Sequence, residues 1–122
     1  MRKRQIDEPR KALSLPVIHI LLALADGAKH GYAIKQDVED RTSGSIRLGP
    51  GTLYEAIQRL QDSTLIAESD ASGEHPANGQ QAQRRYYELT PRGWDVLRDE
   101  VRHLGAIVER ARTHPKLRKG LV

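Results

Sequence analysis

A mainly α-helical fold with one small β-hairpin is predicted from three features of the sequence. Apolar residues recur at helical spacing in three short segments, separated by tight breaks rich in Gly, Ser and Thr. Two extended stretches then flank a polar run at 70–82 that holds Gly and Pro, the composition of a hairpin with a long tip. A final segment repeats apolar residues in alternating steps of three and four, the period of one long helix with a continuous seam. At 122 residues the chain has the size of a single domain with a small accessory element.

Residues 1–11 carry a net +3 and almost no apolar side chains, and read as a flexible basic arm. From Leu15 the pattern becomes Val17, Ile18, Ile20, Leu21, Leu22 and Leu24. Ser14 is placed to cap this helix, Pro16 is tolerated in its first turn, and Asp26-Gly27 ends it. So broad an apolar surface belongs in the middle of a core. Gly31 opens a second helix over 32–41, with Ile34 and Val38 inward and Lys35, Gln36 and Glu39 outward. A short extended piece at 45–48 leads to Gly49-Pro50-Gly51. The third helix, about 51–63, buries Leu53, Ala56, Ile57 and Leu60.

Strands are expected at 65–68 and 83–89, the second carrying Arg84, Arg85, Tyr86 and Tyr87. Thr90-Pro91 is a helix start, a capping residue followed by Pro at the first helical position. The last helix, 91–112, aligns Trp94, Leu97, Val101, Leu104, Val108 and Ala111 in a heptad seam. At 1.5 Å per residue it reaches roughly 33 Å, too long for a small body to cover. A second copy of the chain is the expected partner. Gly105 within it costs about 1 kcal/mol, which points to close helix approach or a bend. Trp94 is expected to anchor the hairpin on this helix. Residues 113–122, net +3 with no acid, form a basic C-terminal tail.

Composition excludes several functions. With no Cys there are no disulfides, thiolate metal sites or cysteine nucleophiles. Aromatics make up 4% and Phe is absent, so the core must be aliphatic. The longest uncharged run, 13–25, is too short to span a bilayer, and its Pro16 and His19 do not suit a secretory signal, which places the protein in the cytoplasm with no membrane partner. The His residues show no metal spacing, and no phosphate-cradling loop, nucleophile elbow or paired carboxylates occur. The chain is therefore not read as an enzyme, and no cofactor is expected. Net charge is +4, yet 12–112 hold 12 basic and 14 acidic residues, so the folded body carries −2 and any polyanion surface must be a local cluster.

Three helices followed by a hairpin is the order of a winged helix-turn-helix, here spanning 12–90. In that arrangement the third helix enters the DNA major groove and the hairpin lies along the backbone. Thr52, Tyr54, Glu55, Gln58 and Arg59 face outward, with Arg suited to guanine and Gln to adenine. Spacing alone leaves Tyr54 open between core and surface, and Lys35 between a backbone contact and solvent. Arg84 and Arg85 are adjacent in a strand and so face opposite sides. The same topology also serves protein–protein adaptors, the alternative that a net-negative body permits.

The elements His30-Gly31-Tyr32-Ala33-Ile34, Leu48-Gly49-Pro50-Gly51-Thr52-Leu53-Tyr54 with Arg59-Leu60, and Arg84-Arg85-Tyr86-Tyr87-Glu88-Leu89-Thr90 with Gly93 resemble the PadR family of transcriptional regulators across residues 13–112. The resemblance implies a homodimeric repressor of double-stranded DNA at a pseudo-palindromic operator, released in some members by a small-molecule effector. It looks like the compact subfamily, with 91–112 as the single dimerisation helix. By position it puts Gly51, Thr52 and Tyr54 at phosphates and Arg84 and Arg85 at the base of the wing. Two positions depart from the pattern. Thr64 stands where the family usually has Gly, so a differently built turn is expected, because a β-branched residue fits the left-handed conformation poorly. Leu104 stands where drug-sensing relatives carry Trp, which argues against a flat-aromatic pocket.

Overall fold

Helix α1 (Leu15–Ala25) runs through the middle of the core in the computed structural model, which describes residues 12–70 and 85–121. Ile20, Leu21 and Ala23 are fully enclosed, because α2, β3 and α4 pack around α1 on different sides. The Ser14 hydroxyl accepts the Val17 N–H at 3.4 Å, and the Lys29 ammonium donates to the Ala23 carbonyl at 2.8 Å near the other end. Helix α2 (Gly31–Arg41) turns Ile34 and Val38 inward. Its break is organised by Thr42, whose hydroxyl donates to the Val38 carbonyl and accepts the Ile46 N–H. Helix α3 (Pro50–Asp62) buries Leu53, Ala56, Ile57 and Leu60.

The β element is larger than the predicted hairpin. Strands β1 (Lys29–His30), β2 (Ile66–Ser69) and β3 (Tyr86–Leu89) form an antiparallel sheet in the order β1-β3-β2. Lys29 pairs with Tyr87 and His30 with Tyr86, while Ile66 pairs with Leu89 on the other edge. Two residues are too short to show a period of two, so β1 leaves no signal in the sequence. The expected arm at 1–11, most of the loop at 70–82, and Arg84 lie outside the described residues.

Thr64 corrects the expectation of a differently built turn. It adopts φ 60°, the left-handed conformation, and closes α3 in the usual double-bonded way. The Leu65 N–H donates to the Leu60 carbonyl and the Thr64 N–H to the Gln61 carbonyl, both at 2.9 Å. The left-handed conformation costs a residue with a Cβ about 1–2 kcal/mol, and the neighbours hold it in place. Thr90, which caps the next helix, donates its hydroxyl to the Thr64 carbonyl at 2.6 Å and accepts the Gly93 N–H at 2.9 Å. Its own N–H donates to the Leu65 carbonyl, and Arg92 reaches the Ser63 carbonyl at 3.2 Å. Gly93 is required at this contact, because a Cβ there would collide with the Leu65 carbonyl.

Helix α4 (Pro91–Arg112) starts in the body and leaves it. Leu97, 4% exposed, belongs to the chain's own core, and no residue of α4 beyond Glu100 is buried. Trp94 is not the expected packing anchor: it sits on the outer side of the helix and is 42% exposed. Among the described residues nothing lies within 4 Å of a Cβ added at Gly105, and α4 continues through it. The predicted tail is partly ordered as a further turn, α5 (Pro115–Arg118), held by N–H bonds from Leu117 and Arg118 to the His114 carbonyl.

Candidate nucleic-acid interface

Amphipathicity orients α3. With Leu53, Ala56, Ile57 and Leu60 locked inside, its pitch sends Gly51, Thr52, Tyr54, Glu55, Gln58 and Arg59 outward, and all six are exposed. Gly49 caps the helix without a side-chain hydrogen bond, so the first-turn N–H groups stay open at an exposed, electropositive end. Gln58 is partly engaged, donating to Asp62 at 3.1 Å one turn on. Arg59 and Thr52 have no protein partner among the described residues.

Tyr54 ties α3 to α2. Its ring lies over Gly31, where an added Cβ would stand 2.5 Å from the hydroxyl oxygen. Glycine therefore sets the distance between the two helices at this point. The ring is nonetheless 51% exposed, which settles the open choice in favour of the surface. His30 precedes it, caps α2 by accepting the Ala33 N–H on Nδ1 at 3.2 Å, and meets Tyr86 edge-on at 5.3 Å.

Basic groups flank this face. Lys35 pairs with Glu39 at 2.9 Å and stands 5.9 Å from the centre of the Tyr32 ring. The Lys35 hydrogen bond holds the Glu39 carboxyl below the usual carboxylate range against the opposing effect of desolvation, with the Lys35 and Arg47 charges and a Leu48 N–H acting the same way as that bond. Arg85 immediately precedes β3 and reaches Glu68 on β2 at 3.3 Å, an exposed pair of little intrinsic strength. Two exposed groups here were missed by sequence reasoning. Tyr32 lies at the start of α2, and Arg47 precedes α3 with its Nε on the Gly44 carbonyl. Their only signal was position: an aromatic at a helix start, and a cation between a broken helix and Gly49.

The predicted dimerisation residues divide. Leu97 is spent in the core and Leu104 and Ala111 are half-buried, whereas Trp94, Val101 and Val108 are exposed. Ile107, outside the predicted seam, is the most exposed large apolar side chain of α4 at 53%. It lines a groove with His103, Arg110, His114 and Leu117 that α5 helps to close. Among the described residues no cluster of three or more His, Asp or Glu is placed to hold a metal, and no helix is long and apolar enough to cross a membrane.

The model of the transcriptional regulator PadR-like family matches residues 20–99, from the middle of α1 into α4. The chain is similar to a 37.1 kDa protein from a transposon of Streptomyces fradiae, with 38% identity over 88 residues. That match covers 72% of this chain and 22% of the relative, so the chain spans only about a fifth of its length. A PadR family transcription regulator of Clostridium difficile superposes with a TM-score of 0.65 at 24% identity, over 82% of this chain and 97% of that one. A PadR family regulator of Eggerthella lenta gives 0.59 at 27% identity, over 76% and 74%.

Proposed function

From the premise that this chain belongs to the PadR-like family of transcriptional regulators, we propose that it works as a homodimeric repressor binding a pseudo-palindromic DNA operator in the cytoplasm. A regulator of transcription is not an enzyme, and the work is done by binding. One observation carries the reading: the exposed polar face of α3, with no side-chain cap at its N-terminus, is flanked by Lys35, Arg47 and Arg85 while its apolar face is locked into the core. The helix is thus held rigidly, with hydrogen-bonding groups presented to a groove.

Each group has a role in this reading. Arg59 and Gln58 contact base edges. Thr52, Tyr54 and the open N–H groups of α3 take phosphates, as Lys35 and Arg85 do from either side. Arg84, next to Arg85 in the sequence, adds its charge. The exposed side chains of α4, Val101, Val108 and Ile107 with Leu104, pair with a second copy and hold two α3 helices about one DNA turn apart, roughly 34 Å. A small-molecule effector, where one exists, acts by altering that spacing.

Selection of bound sequences from a random duplex pool tests the proposal, followed by a salt titration on the selected site. Affinity falls steeply with salt if phosphates are contacted. Arg59→Ala costs about 1–3 kcal/mol on the selected site and relaxes preference at one base pair. The net-negative body favours a protein-binding adaptor as the second reading, which predicts no selected sequence at any salt concentration.

A further inference from the structure

Where α2, α3 and β3 meet, a small pocket is lined by His30, Gly31, Tyr54, Arg85 and Tyr87. The geometry points to a binding site for a single tetrahedral oxyanion in this pocket, held by the Tyr87 and Tyr54 hydroxyls, the Arg85 guanidinium and the Tyr32 N–H in the first turn of α2. Its natural occupant is one backbone phosphate of the operator, and to that extent the inference rests on the function proposed above.

Tyr87 is the observation that demands a ligand. The residue is only 5% exposed, and its ring belongs to the core around α1. Tyr87 lines the pocket, its hydroxyl lies within reach of the charges of Glu68, Tyr54 and Arg85, and it has no hydrogen-bond partner among the described residues. A buried hydroxyl without a partner is costly, and phenylalanine would fill the same volume without that cost. The hydroxyl is therefore placed for something that enters. Burial, followed by the Glu68 and Tyr54 charges, pushes its ionisation up against the opposing effect of Arg85, so it stays protonated and donates.

The surrounding groups complete an anion site. The N–H groups of Gly31 and Tyr32 precede any acceptor in their own helix, at the electropositive end of an 11-residue α2. His30 already satisfies the Ala33 N–H and the His30–Tyr86 pairing sets the Gly31 N–H against the Arg85 carbonyl, so the Tyr32 N–H is the donor left at this end. Gly31 also keeps the floor free of side chain, bringing the Tyr54 hydroxyl close above it. Arg85 uses Nη1 on Glu68, and its other N–H donors remain for the anion. Glu68 opposes a free anion, so small phosphate binds weakly. A phosphate carried by a bound duplex arrives at high local concentration and overcomes that opposition.

Tyr87→Phe removes one oxygen and leaves the packing intact, and the variant is expected to melt at or above the wild-type temperature. Duplex affinity should drop about tenfold, the worth of one hydrogen bond to a charged group. Replacing single phosphates of the duplex by methylphosphonate locates the contact: one position should weaken the wild type and leave Tyr87→Phe indifferent. Inorganic phosphate, titrated at constant ionic strength, should move the amide signals of Gly31 and Tyr32 in the wild type but not in the variant. That arm works without DNA, so it decides the site even if the chain reads no operator. Shifts with phosphate combined with unchanged duplex affinity in Tyr87→Phe would assign the site to a free oxyanion. Unmoved amides together with wild-type duplex binding by Tyr87→Phe, or with an unchanged methylphosphonate pattern, would overturn the inference.

Discussion

Helix α3 and the second half of α4 have the same kind of sequence and opposite fates. Both place apolar residues at helical spacing against a charged far side. In α3 the stripe of Leu53, Ala56, Ile57 and Leu60 is buried against the rest of the body. In α4 beyond Glu100, Val101 is 46% exposed and Ile107 and Val108 are exposed as well. Amphipathic periodicity states that a face must be covered, but it does not say by what. Reach decides: α3 stays within the body, whereas the 22 residues of α4 carry its apolar side past the last atoms able to cover it.

The largest test of this difference compares core with seam. Leu53→Ala should cost about 2–5 kcal/mol, measured by chemical denaturation, and by the same amount at every protein concentration. The double variant Val101→Asp with Leu104→Asp should sediment at half the wild-type mass, because the seam would have to bury facing like charges. Wild-type melting that does not change with protein concentration would break the comparison, since the exposed face would then need no partner.

Gly93→Ala probes the join between the two regions. The new methyl group meets the Leu65 carbonyl, so the start of α4 must shift off the Thr64 turn, at a cost of about 1–3 kcal/mol in thermal unfolding. Gly105→Ala gives a smaller effect whose sign is informative. In a lone chain nothing would touch the added Cβ, and helix propensity alone predicts a gain of about 1 kcal/mol. If the Gly105 face meets a second backbone closely, the same variant should weaken self-association as read by sedimentation.

The smallest expected effect lies at Glu39. Its folded pKa is lowered, chiefly by Lys35, so its contribution to stability is present above the unfolded value of about 4.3 and is lost as pH falls through the folded one. Lys35→Met should move the NMR titration midpoint of Glu39 upward, with little change at neutral pH. A midpoint that stays in place would show that Arg47 or the Leu48 N–H holds it instead.

Much of this molecule was legible because its signals are local. Ser14, Gly49-Pro50 and Thr90-Pro91 mark helix starts through hydrogen bonds and φ preferences that act within one turn. The apolar positions of α1 and α3, and the outward set from Gly51 to Arg59, follow from the helical period alone. The sequence also marked α4 as too long for a small body to cover. Tertiary structure decided what depends on contacts between distant segments. It recruited Lys29 and His30 as a third strand, which two residues alone could not announce. It held Thr64 in a left-handed turn through Thr90, 26 residues away in the chain, where local preference argued against it. It spent Leu97 inside and left Trp94 outside, although both belong to one heptad, because the body ends between the two sides of the helix. And it set Tyr87, a core residue with one polar atom, into the lining of a pocket between three elements. No periodicity reports such an atom, because its surroundings exist only after the chain has closed around it.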